Sequence, residues 1–118
     1  MNNKSQTAYF RGLAIEQKVA RYLQQRGLEL VCHNFKAKCG EIDLVMRDTE
    51  TWVFVEVKYR ENASRGTAAE QFTAQKRRKL TAAIHVFMAK YNLNPHHVDY
   101  RIDLVAIDGK SAQWLRSV

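Results

Sequence analysis

Three carboxylates and one lysine are spaced so that a strand hairpin and a helix can bring them together. In the Val- and aromatic-rich stretch Trp52 to Tyr59, side chains of a strand alternate between two faces. Val53, Val55, Val57 and Tyr59 share one face, and Trp52, Phe54, Glu56 and Lys58 share the other. In the stretch before it, Ile42, Leu44 and Met46 alternate with Glu41, Asp43 and Val45. An antiparallel hairpin can place Asp43 near Glu56, because opposed residues lie about 5 Å apart. Glu16 stands between Ile15 and Val19 at the edge of an apolar helical stripe. A carboxylate there needs a partner or a metal, since burying it alone is costly.

Clustered carboxylates repel one another unless a cation joins them. Hard oxygen ligands suit Mg²⁺ or Mn²⁺. Such an ion can activate water and neutralise charge at a phosphorus centre, and Lys58 adds a fixed positive charge beside it. Glu16, Asp43, Glu56 and Lys58, with Glu41 close by, are thus equipped to hydrolyse a phosphodiester. Taken singly, each has a plainer reading. An acid-x-lysine triplet is a common solvated strand face, Asp43 suits a hairpin edge, and Glu16 can pair with an arginine.

The elements that must position these residues follow from periodicity. A first helix is expected from about Ala8 to Arg26, with Ile15, Val19, Ala20 and Leu23 at helical spacing and Gly27 as its C-terminal cap. Strands are expected at about Glu29 to Asn34, Glu41 to Arg47 and Trp52 to Tyr59, the last two joined by the polar turn Asp48 to Thr51. Arg60 to Ala69 reads as a loop. A second helix, about Thr73 to Tyr91, carries Leu80, Ala83, Ile84, Phe87 and Met88 as an apolar stripe. A fourth strand is expected from about Val98 to Ile107. After the Asp108-Gly109 turn signal, a short strand around Ala112 to Leu115 can close the chain. The order αβββαβ implies an α/β fold, a mixed central sheet flanked by helices. One domain is expected over residues 8–118, behind a disordered tail of residues 1–7.

Charge points to the partner. Lys plus Arg is 19 against 12 Asp plus Glu, a net charge of +7, and such a surface favours polyanions, nucleic acid first. From Gln71 to Val98 there is no acid, only Lys76, Arg77, Arg78, Lys79 and Lys90. Cations in the first turns of a helix oppose its dipole at about 0.3 kcal/mol or more each, which phosphate binding would offset. Gln75 and Lys76 can approach the acids. Arg60 and Arg65, in the loop that follows the acid-bearing strand, can grip a substrate. The 118-residue chain has no apolar run near the roughly 20 residues of a membrane span. Its polar start carries no secretory signal pattern, so a cytoplasmic protein without membrane partner is expected. Cys32, Cys39 and His33 lack the four-ligand spacing of a structural zinc site. Asp99, Arg101 and Asp103 alternate along the fourth strand as a solvated or edge ion pair.

The run Gly40-Glu41-Ile42-Asp43-Leu44-Val45, then twelve residues after Asp43, then Glu56-Val57-Lys58, resembles the PD-(D/E)xK nuclease superfamily. More closely, with Tyr59-Arg60 and Arg101 to Ala106, it resembles the YraN-like family of predicted endonucleases over about Gly12 to Ile107. The resemblance implies a restriction-endonuclease-like fold, akin to archaeal Holliday-junction resolvases, and a DNA endonuclease acting on branched or damaged DNA, as a homodimer. It implies that Asp43 and Glu56 hold the metal with the carbonyl of Val57, that Lys58 positions the attacking water, and that Glu16 completes the site or helps a second ion. Ile42 stands where the superfamily name has proline. The alternative is a non-catalytic nucleic-acid-binding module, an adaptor in recombination or repair, which needs the basic helix and not the acids.

Overall fold

Apolar strands with two oppositely placed amphipathic helices make a three-layer domain in the computed structural model, which describes residues 3–62 and 66–118, with side chains from residue 11 onward. In chain order the elements are α1 (Asn3–Gln25), β1 (Glu29–Ala37), β2 (Gly40–Asp48), β3 (Thr51–Arg60), α2 (Ala74–Lys90), β4 (Tyr100–Asp108) and β5 (Ser111–Leu115). The strands form one sheet in the order β1-β2-β3-β4-β5. Only β3 and β4 run parallel; the other neighbours are antiparallel. A parallel pair needs a crossover connection, and α2 supplies it.

Each helix buries its stripe on one face of the sheet. Val19, Ala20 and Leu23 of α1 pack on Leu44, Met46, Val53, Val55 and Val105. Leu80, Ala83, Ile84, Phe87 and Met88 of α2 pack on Ile42, Val45, Phe54 and Ile102. Each large apolar side chain fully buried in this way stabilises the fold by about 1.5–3 kcal/mol. Phe87 is the hub of the α2 layer, with ring centroids 5.2 Å from Phe35, 5.8 Å from Trp52 and 5.6 Å from Phe54.

The helix ends are set by local chemistry. Gly27, at φ 99°, takes the left-handed position that closes α1, with the amides of Gly27 and Leu28 donating to the carbonyls of Gln24 and Leu23. The Thr73 hydroxyl accepts from the Lys76 amide at 3.3 Å and caps α2. Among the described residues no helix is long and apolar enough to cross a membrane.

Several boundaries differ from expectation. The first helix begins at Asn3 instead of about Ala8, so residues 3–7, expected in the tail, continue it. The strands β2 and β3 pair down to Asp48 with Thr51, so the turn between them shrinks from four residues to Thr49-Glu50, with Thr49 at φ 54°. The fourth strand starts at Tyr100, and the short final strand forms.

The simple alternation expected along β2 also fails at one point. Ile42 packs on the α2 side, whereas Leu44 and Met46 pack on the α1 side. β1 is irregular alongside: its Asn34 sits at φ 55°, and its register shifts between Leu30 and Cys32. By the pairing on either side, Asn34 is the residue opposite Asp43. Asp103, expected as a solvated or edge ion-pair residue, is fully buried. It accepts hydrogen bonds at 3.0 Å from Arg101 Nε, Trp114 Nε1 and the Ser117 amide, donors that replace the lost water.

Candidate active site

Strands β2 and β3 stop pairing after Leu44 and Val55. The next residues, Asp43 and Glu56, stand at the fork where the two strands part. Asp43 turns its carboxylate into the fork, is only 6% exposed, and its Oδ2 accepts the Val57 amide at 2.8 Å. The N–H and C=O of one strand residue point the same way. The Val57 carbonyl therefore also faces the fork, beyond the last rung of the β2–β3 ladder.

Glu56 lies beside Asp43 on the α2 side. Its Oε1 is 3.3 Å from Lys58 Nζ, and both side chains are mostly covered, at 13% and 19% exposed. Burial, and then the negative charge of Asp43, push the Glu56 carboxyl up to about 8, while Lys58 pulls the other way. Glu16 reaches Asp43 from α1. Its carboxyl is pushed up to about 7 by burial first, then by Asp43 and Glu41, with the Asn34 side-chain hydrogen bond opposing. Glu16 Oε1 is buried and has no hydrogen-bond partner. Asp43 is thus the centre, in hydrogen-bonding reach of Glu16 on one side and Glu56 on the other.

A cleft of about 190 Å³ opens over the α2 side of this cluster, lined by Gly40, Glu41, Glu56, Lys58, Lys76, Lys79 and Leu80. Glu16 lines a separate groove of about 500 Å³ between α1 and β1, with His33 and Asn34. Gly40 explains how α2 comes so close. A Cβ at Gly40 would lie 2.7 Å from the Lys79 carbonyl oxygen, so only glycine lets the helix backbone pass over the start of β2.

Of the expected substrate-binding residues, Lys76 and Lys79 line the cleft. Gln75 and Arg78 are exposed on α2 and do not line it. Arg77 donates from Nη1 to the main-chain oxygen of Val118, on another side of the helix. Arg60, at the end of β3, packs its guanidinium against the Gln71 side-chain amide. Arg65 lies outside the described residues. Asn34 was not singled out from sequence, although it touches Glu16. Its signal is present: asparagine is depleted in strands and is enriched where the backbone turns left-handed.

Mg²⁺ and Mn²⁺ fit these donors by two observations, the unpartnered Glu16 oxygen and three crowded carboxyls with one lysine among them. Asp43, Glu56 and the Val57 carbonyl are all hard oxygen donors, and Mg²⁺ keeps several waters and needs few protein ligands. Against this, among the described residues no group of three His, Cys, Asp or Glu side chains forms a ready-made metal cage.

Residues 15–107 match the family model described as "Uncharacterised protein family UPF0102". The chain is similar to a UPF0102 protein of Aliivibrio fischeri strain MJ11, 40% identical over 116 residues that cover 97% of this chain and 94% of that protein. It is also similar to a UPF0102 protein of Vibrio cholerae strain O395, 44% identical over 86% of this chain and 85% of that one. A third, from Herminiimonas arsenicoxydans, is 43% identical over 86% of this chain and 80% of its own.

Proposed function

The chain belongs to the UPF0102 family, the YraN-like family that its motifs resemble, and we propose that it is a Mg²⁺- or Mn²⁺-dependent endonuclease that hydrolyses DNA phosphodiester bonds. The observation that carries this reading is the fork at Asp43. A buried carboxylate there accepts the Val57 amide, with Glu16 and Glu56 beside it and Lys58 on Glu56. Carboxyls crowded in this way destabilise the apo fold, and a divalent cation would relieve them.

Asp43, Glu56 and the Val57 carbonyl would hold the ion, and Glu16 would complete the site. The bound ion would lower the pKa of a water and neutralise charge on the phosphate. The chain's own residues do the rest. The Val57 amide fixes the orientation of the Asp43 carboxylate. The Lys58 ammonium, held against Glu56, orients the attacking water and stabilises negative charge as it builds on the phosphoryl oxygens. Lys76 and Lys79 border the cleft and draw in the polyanion. This arrangement resembles that of the PD-(D/E)xK nucleases, and branched or damaged DNA is the substrate proposed for this chain. Cutting two strands together would use two such sites, and so a homodimer is proposed.

The alternative, a non-catalytic nucleic-acid-binding adaptor, draws on the lack of a ready-made cage among the described residues. Two measurements separate them. Single-stranded, duplex, flapped and four-way-junction DNA are offered in Mn²⁺ and in EDTA to the wild type, Asp43→Asn and Glu56→Gln. Mn²⁺-dependent cutting by the wild type alone is expected. Thermal melting then reads metal binding without activity. Mn²⁺ at about 100 times its Kd should stabilise the wild type by about 2.7 kcal/mol and leave Asp43→Asn unmoved. DNA binding with no cutting and no Mn²⁺ effect would favour the adaptor.

A further inference from the structure

The cleft over the acids is one half of a longer feature. It shares Gly40, Glu41 and Lys79 with a second depression of about 400 Å³, whose wall also carries Lys36 and Lys38. With a common wall, the two concavities make one trough. Lys36 lies at the end of β1 and Lys38 in the turn to β2. Lys76 and Lys79 are one helical turn apart on α2, and Lys58 stands on β3. Gly40 joins the halves, because α2 can cross the β1–β2 turn closely only there.

The chemistry of the lining is one-sided. Five lysines line the trough, Lys36, Lys38, Lys58, Lys76 and Lys79. The acids that face them are Glu41, opposite Lys36 in the strand register, and Glu56, paired with Lys58. Among the described residues Lys36, Lys38, Lys76 and Lys79 are exposed and make no salt bridge. The first turn of α2 holds no acid, and its free amide ends add further positive potential. No aromatic, arginine, asparagine or glutamine lines either half. No ring there can stack on a base, and no planar guanidinium or amide is present to read a base edge. Lysine instead binds phosphate as a point charge, and phosphate contacts carry affinity without sequence information.

We propose that this trough seats the phosphate backbone of a polynucleotide, with Lys36 and Lys38 forming a phosphate-binding subsite across the Glu41–Lys79 wall from Lys58 and Lys76. The strand is held by charge and not by sequence. The inference rests on the nuclease reading for why the backbone crosses the acids, but its test does not.

Binding is measured by fluorescence anisotropy in EDTA, where no cutting occurs, with labelled duplex DNA, single-stranded DNA and RNA of equal length and varied sequence. The proteins are the wild type, Lys36→Ala/Lys38→Ala, Lys76→Ala/Lys79→Ala, and Lys110→Ala as a surface control, each checked for an unchanged melting temperature. Each neutralised duplex phosphate contributes about 0.9 to the slope of log K against log salt. Each double variant should flatten the slope by up to about 1.8. Between about 50 and about 200 mM NaCl it should therefore lose roughly tenfold less affinity than the wild type. Lys110→Ala should match the wild type. A wild-type slope and affinity in Lys36→Ala/Lys38→Ala would overturn the proposal. So would a preference above about tenfold among sequences of one length, or no polynucleotide binding at about 50 mM salt. If the wild type fails to cut in Mn²⁺ while these slopes change as expected, the nuclease reading falls and the trough stands.

Discussion

Replacing Glu56 by glutamine should make the metal-free protein more stable, not less. Glu56 titrates at about 8 in the fold against 4.5 outside it. The folded state therefore holds a proton that the unfolded chain gives up, and stability falls as pH rises from about 4.5 towards 8. At about 1.4 kcal/mol per pKa unit, the ceiling at pH 8 is on the order of 4 kcal/mol, against under about 1 kcal/mol at pH 5. Burial is the main cause, followed by the charge of Asp43; solvent at the open cleft screens part of the ceiling, which leaves roughly 2 kcal/mol. Glu16 acts in the same direction but is half-buried, and solvent screens much of its share. Unfolding entropy of about 2.1 cal/mol/K per residue over 118 residues makes 2 kcal/mol worth about 8 °C in Tm. Glu56→Gln and wild type would be melted in EDTA at pH 5, 6.5 and 8. The expected gap is near zero at pH 5 and about 8 °C in favour of the variant at pH 8. Adding Mn²⁺ at pH 8 should close it by raising only the wild type. An equal gap at pH 5 and 8, or a less stable variant at pH 8, would refute the reasoning.

Three other substitutions test the frame around the site. Gly40→Ala sets a methyl 2.7 Å from the Lys79 carbonyl oxygen; backbone must move, and a loss of about 1–3 kcal/mol in urea unfolding is expected. Asp103→Ala strips the acceptor from Arg101, Trp114 and Ser117 and should cost about 3–5 kcal/mol, with a red shift of Trp fluorescence as the Trp114 ring loosens. Phe87→Ala empties the centre of the α2 aromatic cluster and should cost about 3–5 kcal/mol by thermal melting.

The strand faces of β3 were legible because nothing interrupts their period of two. Val53, Val55 and Val57 pack towards α1, and Phe54 and Trp52 towards α2. The α2 stripe was legible for the same reason. The faces of β2 were not, because they break where the neighbouring strand is irregular: opposite the step from Ile42 to Leu44, β1 carries the left-handed Asn34. The approach of Asp43 to Glu56 and Lys58 was compatible with hairpin spacing, which left the register open, and Glu16 was placed only at the edge of the apolar stripe. The diversion of Arg77 to Val118 could not, since a run of four basic residues does not say which side of a helix meets the chain's far end. Asp103 looked like a surface acid because its donors Trp114 and Ser117 are distant in sequence and arrive only when β5 pairs with β4.

The bond from the Val57 amide to Asp43 has a consequence for how the protein can be watched. A side chain stands there in place of a missing rung of backbone. The Val57 N–H is held by that carboxylate, which slows its exchange with water. This single amide is therefore a built-in gauge of the cluster's geometry, readable in a free solution of the protein before any substrate is known. Asparagine at position 43 keeps an oxygen to hold the gauge in place, whereas alanine removes the gauge along with the charge.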